Sequence, residues 1–169
     1  RAGVHGHSLM SIELANDSAS TIRVIDDDDG YRTSMMQMLA ATGLHAVGYR
    51  CVGEFLMAPD RDRAGCVLLD IARPGLSGIA VMKTAVLRGS VRPIICVTGY
   101  DDVATSVEAM KQGAFDYIVK PAPAERVIPA VRRALDVDAA HRAVERELAE
   151  WRSRFARLTQ AERAVLLGI

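Results

Sequence analysis

An excess of charge of either sign is missing from this chain: Lys plus Arg and Asp plus Glu each number 21 in 169 residues, and the formal net charge is zero. No overall basic surface of the kind that marks nucleic-acid binders is therefore present, and any such affinity has to be local. Cysteine is scarce too. Cys51, Cys66 and Cys96 are odd in number and far apart, and Cys66 and Cys96 lie in apolar runs where a thiol behaves as a small hydrophobe, which points to a reduced, cytoplasmic protein. No apolar stretch approaches the roughly 18 residues of a membrane span, and Arg1–Met10 lacks the charged and then apolar plan of a signal peptide. There is no initiator Met at position 1, and His5-Gly6-His7 reads better as an appended remnant ahead of Met10 than as a metal site. Residues 1–19 are accordingly expected to stand outside the fold, as a disordered or appended N-terminus.

What the chain does have is apolar residues, 50% of the total, enough for the core of one ordinary domain and an appendage. Strand-like runs at Thr21–Ile25, His45–Tyr49, Cys66–Leu69, Pro93–Val97 and Phe115–Val119 alternate with helix-like segments at about 31–42, 52–58, 78–88 and 102–112. In the helical segments apolar residues recur at three and four residue spacing, as in Met35, Met36 and Leu39. Strands separated by helices pair in parallel with right-handed crossovers, so the expected fold class is α/β with a doubly wound parallel sheet and a ligand site outside the carboxyl ends of the strands. Gly43, Gly113 and Arg88-Gly89 stand where helices should stop.

At those strand ends lie the chemically active side chains. Asp26, Asp27, Asp28 and Asp29 follow the first strand directly. Two charges about 4 Å apart repel by roughly 4 kcal/mol at an effective dielectric near 20, so such a cluster needs a cation, protonation or a helix N-terminus beside it. Asp28 or Asp29 is a natural helix cap. Asp70 ends the third run ahead of the turn residues Pro74-Gly75 and Ser77-Gly78, and taken alone it reads as a common turn opener. In neighbouring parallel strands Asp26, Asp27 and Asp70 would instead form a hard-oxygen site for octahedral Mg²⁺. Thr98 and Lys120 stand at the ends of the fourth and fifth strands. Together these groups make a phosphoryl site, in which metal and ammonium neutralise phosphate oxygens and the hydroxyl donates a hydrogen bond to one.

The order Asp26-Asp27, Asp70, Thr98 and Lys120-Pro121, over about residues 21–135, resembles the receiver domain of bacterial two-component response regulators. Leu69-Asp70 through Pro74-Gly75-Leu76-Ser77-Gly78, Ala109-Met110-Lys111-Gln112-Gly113-Ala114 and Asp116-Tyr117-Ile118-Val119-Lys120-Pro121 are similar to the NarL/FixJ-like branch with LuxR-type helix-turn-helix output. The resemblance implies a flavodoxin-like (βα)5 sheet of strand order 2-1-3-4-5. It also implies that Asp70 accepts a phosphoryl group from a sensor histidine kinase, that Asp26, Asp27, Asp70 and the backbone carbonyl of Ala72 hold Mg²⁺, and that Thr98 and Lys120 bind phosphoryl oxygens. Thr98 and Tyr117 would be the switch, remodelling the face of the fourth helix, fifth strand and fifth helix through which a homodimer forms. Without the resemblance Tyr117 reads as a half-buried strand aromatic. The chain departs from the family at Ala72-Arg73, where Arg-Met is usual before Pro74, and at Ala122, where Phe is usual. The small Ala72 leaves room for an attacking water, which favours a short-lived phosphoryl state. A Mg²⁺-dependent phosphohydrolase with Asp70 as nucleophile is the alternative; Ala72 stands where such enzymes carry a second Asp, so a phosphoacceptor with at most slow self-dephosphorylation is expected rather than a turnover enzyme.

Past a receiver of residues 20–136 the pattern becomes one long helix, with Pro129 either kinking it early or marking its true start. Val137, His141, Val144, Leu148, Trp151, Phe155 and Leu158 alternate at four and three, the heptad seam of a short coiled coil over 137–157, with Glu147 set against Arg152 of a parallel partner. The rival is an amphipathic helix folded onto its own domain, but a run from 130 to 157 would reach roughly 40 Å, beyond the edge of a small domain. Thr159 and Glu162 form a capping box ahead of an apolar run. It resembles the opening of a LuxR-type helix-turn-helix, residues 158–169, truncated before any recognition helix, so DNA is expected to be read only by an output domain outside this chain.

Overall fold

The computed structural model describes residues 20–59, 61–71, 92–99 and 103–158. The helix expected at 78–88, the carbonyl of Ala72 and the capping box at Thr159 and Glu162 lie outside those residues. Five strands, β1 (Thr21–Ile25), β2 (Ala46–Tyr49), β3 (Gly65–Asp70), β4 (Ile94–Thr98) and β5 (Asp116–Val119), form one sheet in the order β2-β1-β3-β4-β5. Every pairing is parallel. β1 and β4 are buried along their whole length, and β3 along all but its last residue, as strands covered on both faces must be. Among the described residues the helices are α1 (Asp29–Ala41), α2 (Val52–Met57), α3 (Val103–Lys111) and α4 (Ala124–Ala156).

Alternation along the strands builds two cores. Ile22, Val24, Leu68, Ile95, Val97 and Ile118 face one way and meet Met35 and Leu39 of α1 and Val127, Val131 and Ala134 of α4. Ile25, Val67, Leu69, Cys96 and their neighbours face the other way, against Val52 and Phe55 of α2 and Ala109 of α3. The doubly wound arrangement is thus present, with strand boundaries within about one residue of those expected from sequence.

Pro129 does not mark the start of the last helix, which begins at Ala124 and contains it. Val127, Ala130, Val131 and Ala134 are all buried on that stretch, so packing outweighs the backbone hydrogen bond that Pro129 removes. The chain forms two compact units, residues 1–138 and 139–169. In the second unit the seam residues Val144, Leu148, Trp151 and Phe155 are 57%, 48%, 61% and 42% exposed.

Polar groups are also buried at the base of the sheet. Arg23, 0% exposed, donates from Nη1 to the Thr21 carbonyl and from Nη2 to the Arg63 carbonyl, both at 3.0 Å. Asp138 of α4, also buried, accepts the Gly65 N–H at 2.8 Å. Cys66 beside them and Cys96 are buried, and burial pushes both thiols up to about 12, whereas Cys51 is exposed. A thiol-reactive dye at neutral pH should therefore label one cysteine per folded chain and three after denaturation. Two labels on the native protein, counted by mass, would contradict the packing of β3 and β4.

Candidate functional site

The carboxyl ends of β1, β3, β4 and β5 converge at one pole of the sheet. Ile25 is in register with Leu69, so Asp26 and Asp70 follow at one level on adjacent strands. Asp70 is in register with Val97, which brings Thr98 one step beyond it, and Thr98 is in register with Val119, the residue before Lys120. The Lys120 N–H donates to the Thr98 carbonyl at 2.7 Å.

Lys120 joins the carboxylates across the sheet. Its Nζ donates to Asp26 Oδ2 at 2.7 Å and to Asp70 Oδ2 at 3.0 Å. Burial alone would lower the pKa of this ammonium, but its hydrogen bonds to Asp26 and Asp70 and their negative charge outweigh that and hold it above the ordinary lysine value. The lysine is therefore charged at neutral pH. The Tyr31 ring lies on another side of Nζ, 4.0 Å from centroid to nitrogen, and burial raises the pKa of the Tyr31 hydroxyl.

The four consecutive aspartates divide their work. Asp26 is buried; its Oδ1 accepts the Asp28 N–H at 2.9 Å and its carbonyl accepts Arg32 Nη1 at 2.7 Å. Asp28 is the N-cap of α1, accepting the Tyr31 N–H at 2.9 Å. Asp29 pairs with Arg32 one helical turn on and lies 3.6 Å from Arg50, and the Arg32 hydrogen bond, followed by the charge of Arg50, lowers its carboxyl pKa. The repulsion inherent in the run is relieved by one lysine, two arginines and a helix N-terminus.

Asp26, Asp27 and Asp70 each offer a carboxylate oxygen, all within 4.8 Å of one another. Octahedral Mg²⁺ with bonds near 2.1 Å places opposite ligand oxygens about 4.2 Å apart, so a small adjustment closes the set on the ion. Three carboxylates against one ammonium leave a formal excess of two negative charges, which a divalent cation would cancel. Asp27 is exposed and Asp70 half-buried, so water can complete the shell, as this ion prefers. The residues present fit magnesium.

Of the residues singled out from sequence, Asp26, Asp27, Asp70 and Lys120 are brought together. Thr98 stands at the same pole and is 1% exposed. Tyr117 is in register with Cys96, two residues before Thr98, and packs with the same core. Alternation puts Thr98 and Tyr117 on one face of the sheet, diagonal to each other on adjacent strands. Sequence reasoning missed Tyr31 and Arg32. The Asp29–Arg32 spacing of three on a helix was a usable signal for the arginine, whereas nothing local links Tyr31 to Lys120.

A family model described as the response regulator receiver domain matches residues 22–132. The chain is 38% identical over 145 residues to the transcriptional regulatory protein FixJ of Azorhizobium caulinodans, covering 86% of this chain and 69% of that one. It is 34% identical over 165 residues to nodulation protein W of Bradyrhizobium diazoefficiens, covering 97% and 70%. Among solved structures, response regulator StyR superposes with a TM-score of 0.81 at 28% identity, over 88% of this chain and 75% of that one. The receiver match takes in every strand end that carries the aspartates, Thr98 and Lys120, and the chain belongs to the response regulator receiver domain family.

Proposed function

We propose that the chain is the phosphoryl-accepting switch of a two-component response regulator. The observation that carries this is Lys120 Nζ held between Asp26 and Asp70, with Asp27 completing a set of oxygens sized for a divalent cation. Attack is assigned to one oxygen of the Asp70 carboxylate, which Lys120 holds at the pole. That oxygen bonds to the phosphorus of a phosphohistidine on a partner sensor kinase as the phosphorus–nitrogen bond breaks, leaving an acyl phosphate on Asp70 and the electron pair on the histidine. Asp26, Asp27, Asp70 and the Ala72 carbonyl would hold Mg²⁺, which supplies charge neutralisation at the phosphoryl oxygens. Thr98 donates its hydroxyl to one oxygen and Lys120 turns its ammonium to another.

Drawing Thr98 toward the phosphoryl group vacates space beside Tyr117 on the same sheet face, and the aromatic follows inward. The surface formed by α3, β5 and the first turns of α4 then changes shape and favours a homodimer. The exposed seam of Val144, Leu148, Trp151 and Phe155 supports a second pairing through the linker helix, with Glu147 facing Arg152 of the partner. The chain accepts a phosphoryl group and holds it for a comparatively short time, since the small Ala72 leaves room for water, yet it acts as a phosphoacceptor rather than a turnover enzyme. It acts in the cytoplasm, and transcription is controlled through a LuxR-type output domain; the name of its relative FixJ, a transcriptional regulatory protein, supports the part played in transcription. Among the described residues no helix is long and apolar enough to cross a membrane.

Incubation with acetyl phosphate and Mg²⁺ should add one phosphoryl mass to the chain, with none added when the metal is chelated. Sedimentation should show more dimer in the modified sample. An unchanged mass with metal present would overturn the reading.

A further inference from the structure

The Lys120 ammonium has three N–H donors. Two go to Asp26 and Asp70, and the face of Tyr31, 4.0 Å away, is its third neighbour. Tyr31 is itself fixed. Its N–H is bound by the Asp28 cap at 2.9 Å, it lies in the first turn of α1, and its ring packs against the core cluster that holds Met35 and Leu68. With Asp26, Met35 and Asp70 it also lines a cavity of about 10 Å³ directly under the acidic pole. The Tyr31 hydroxyl is buried beside the Ala122 backbone, and the contact that this residue makes with Lys120 is through its ring.

We propose that Tyr31 is a positioning residue whose ring face seats the Lys120 ammonium, so that the lysine can turn from Asp70 to an incoming phosphoryl oxygen without losing its support. A hydrogen bond to a carboxylate is directional, whereas attraction to an aromatic face is broad and tolerates a sideways shift of the cation. An ammonium held by carboxylates alone, on turning from Asp70 to the phosphoryl oxygen, would keep only Asp26 through the exchange. With the ring beneath it, a second partner is constant. The assignment rests on the phosphoacceptor reading for its consequence, but not for its geometry.

The test compares Tyr31→Phe, which keeps the ring, with Tyr31→Leu, which removes it, in the full chain with acetyl phosphate and Mg²⁺. Tyr31→Phe should phosphorylate within about two-fold of the parent, and Tyr31→Leu roughly five-fold more slowly, as expected for loss of a partly desolvated cation–π contact. In proton spectra the Lys120 side-chain signals next to the ammonium should be shifted upfield by the ring in the parent and in Tyr31→Phe, and should return to ordinary positions in Tyr31→Leu. Thermal melts check that each variant is folded, and Tyr31→Met serves in the same comparison if the leucine variant is not. Parent-like phosphorylation in Tyr31→Leu, an equal loss in both variants, or unshifted Lys120 signals in the parent would each overturn the proposal. A parent chain that takes no phosphoryl group but shows the shifted signals would overturn the phosphoacceptor reading and leave the seating of Lys120 established.

Discussion

Asp70→Asn is expected to leave the chain folded and to lower phosphoryl uptake from acetyl phosphate by roughly two orders of magnitude or more, to below detection by intact mass. The amide keeps the shape of the side chain and loses the nucleophilic charge. Neighbouring carboxylates do not replace it, for reasons visible at the pole. Asp26 is 4% exposed, with one oxygen on the Asp28 N–H and the other on Lys120, so a phosphoryl donor outside the sheet cannot approach it in line. Asp28 and Asp29 are committed to the cap of α1 and to Arg32 and Arg50. Asp27 is the remaining candidate, and a phosphoryl mass mapped to Asp27 in the Asp70→Asn chain would show that the site has no single acceptor. The same variant removes one of three formal negative charges, so Mg²⁺, followed by calorimetry, should bind more weakly as well.

Gly65→Ala should be the most damaging single substitution in the core of the fold, costing about 3 kcal/mol or more and lowering the melting temperature by roughly ten degrees. Gly65 opens β3 with φ at 137°, a conformation that side chains rarely adopt. A methyl group there would lie 1.9 Å from the Thr21 carbonyl oxygen and 2.8 Å from its carbon. Both are backbone atoms of the paired strand, so no side chain can swing aside, and the strands would have to part where Arg23 and Asp138 are buried. Separation there would also break the Gly65 N–H bond to Asp138. A Gly65→Ala protein that melts within two or three degrees of the parent would show that the strand entry adapts more freely than this geometry allows.

Strand content and the site were legible in the sequence wherever the cause was local. Apolar runs such as Val67-Leu68-Leu69 and Ile94-Ile95-Cys96-Val97 signal buried parallel strands whatever surrounds them, and aspartates at their ends fall at the pole that the sheet topology selects. The order of the strands came from likeness to a family rather than from any pattern in the residues. What sequence could not show was set by contacts distant along the chain. Which aspartate caps α1 depends on where Tyr31 N–H points, and the extent of α4 through Pro129 depends on the apolar surface that Val127 and Val131 bury. Nothing local in the sequence marks Gly65, because its constraint is the Thr21 backbone. Lys120 was found from its place after a strand, but its seat on Tyr31 exists only once α1 and the end of β5 are brought together.

The bond from Gly65 to Asp138 has a mechanical consequence. β3 carries Asp70 at its upper end, while its lowest residue is fastened to the helix by which the chain leaves the domain. A strand pinned at its foot resists sliding along its own axis, because that motion would break a buried hydrogen bond. Among the described residues, the route that the proposed switch would use from Asp70 is therefore sideways, through β4 and β5, where Thr98 and Tyr117 share a face and the backbone of Lys120 is tied to Thr98. In the switch proposed above, the central strand would be the fixed frame and the edge of the sheet the moving part.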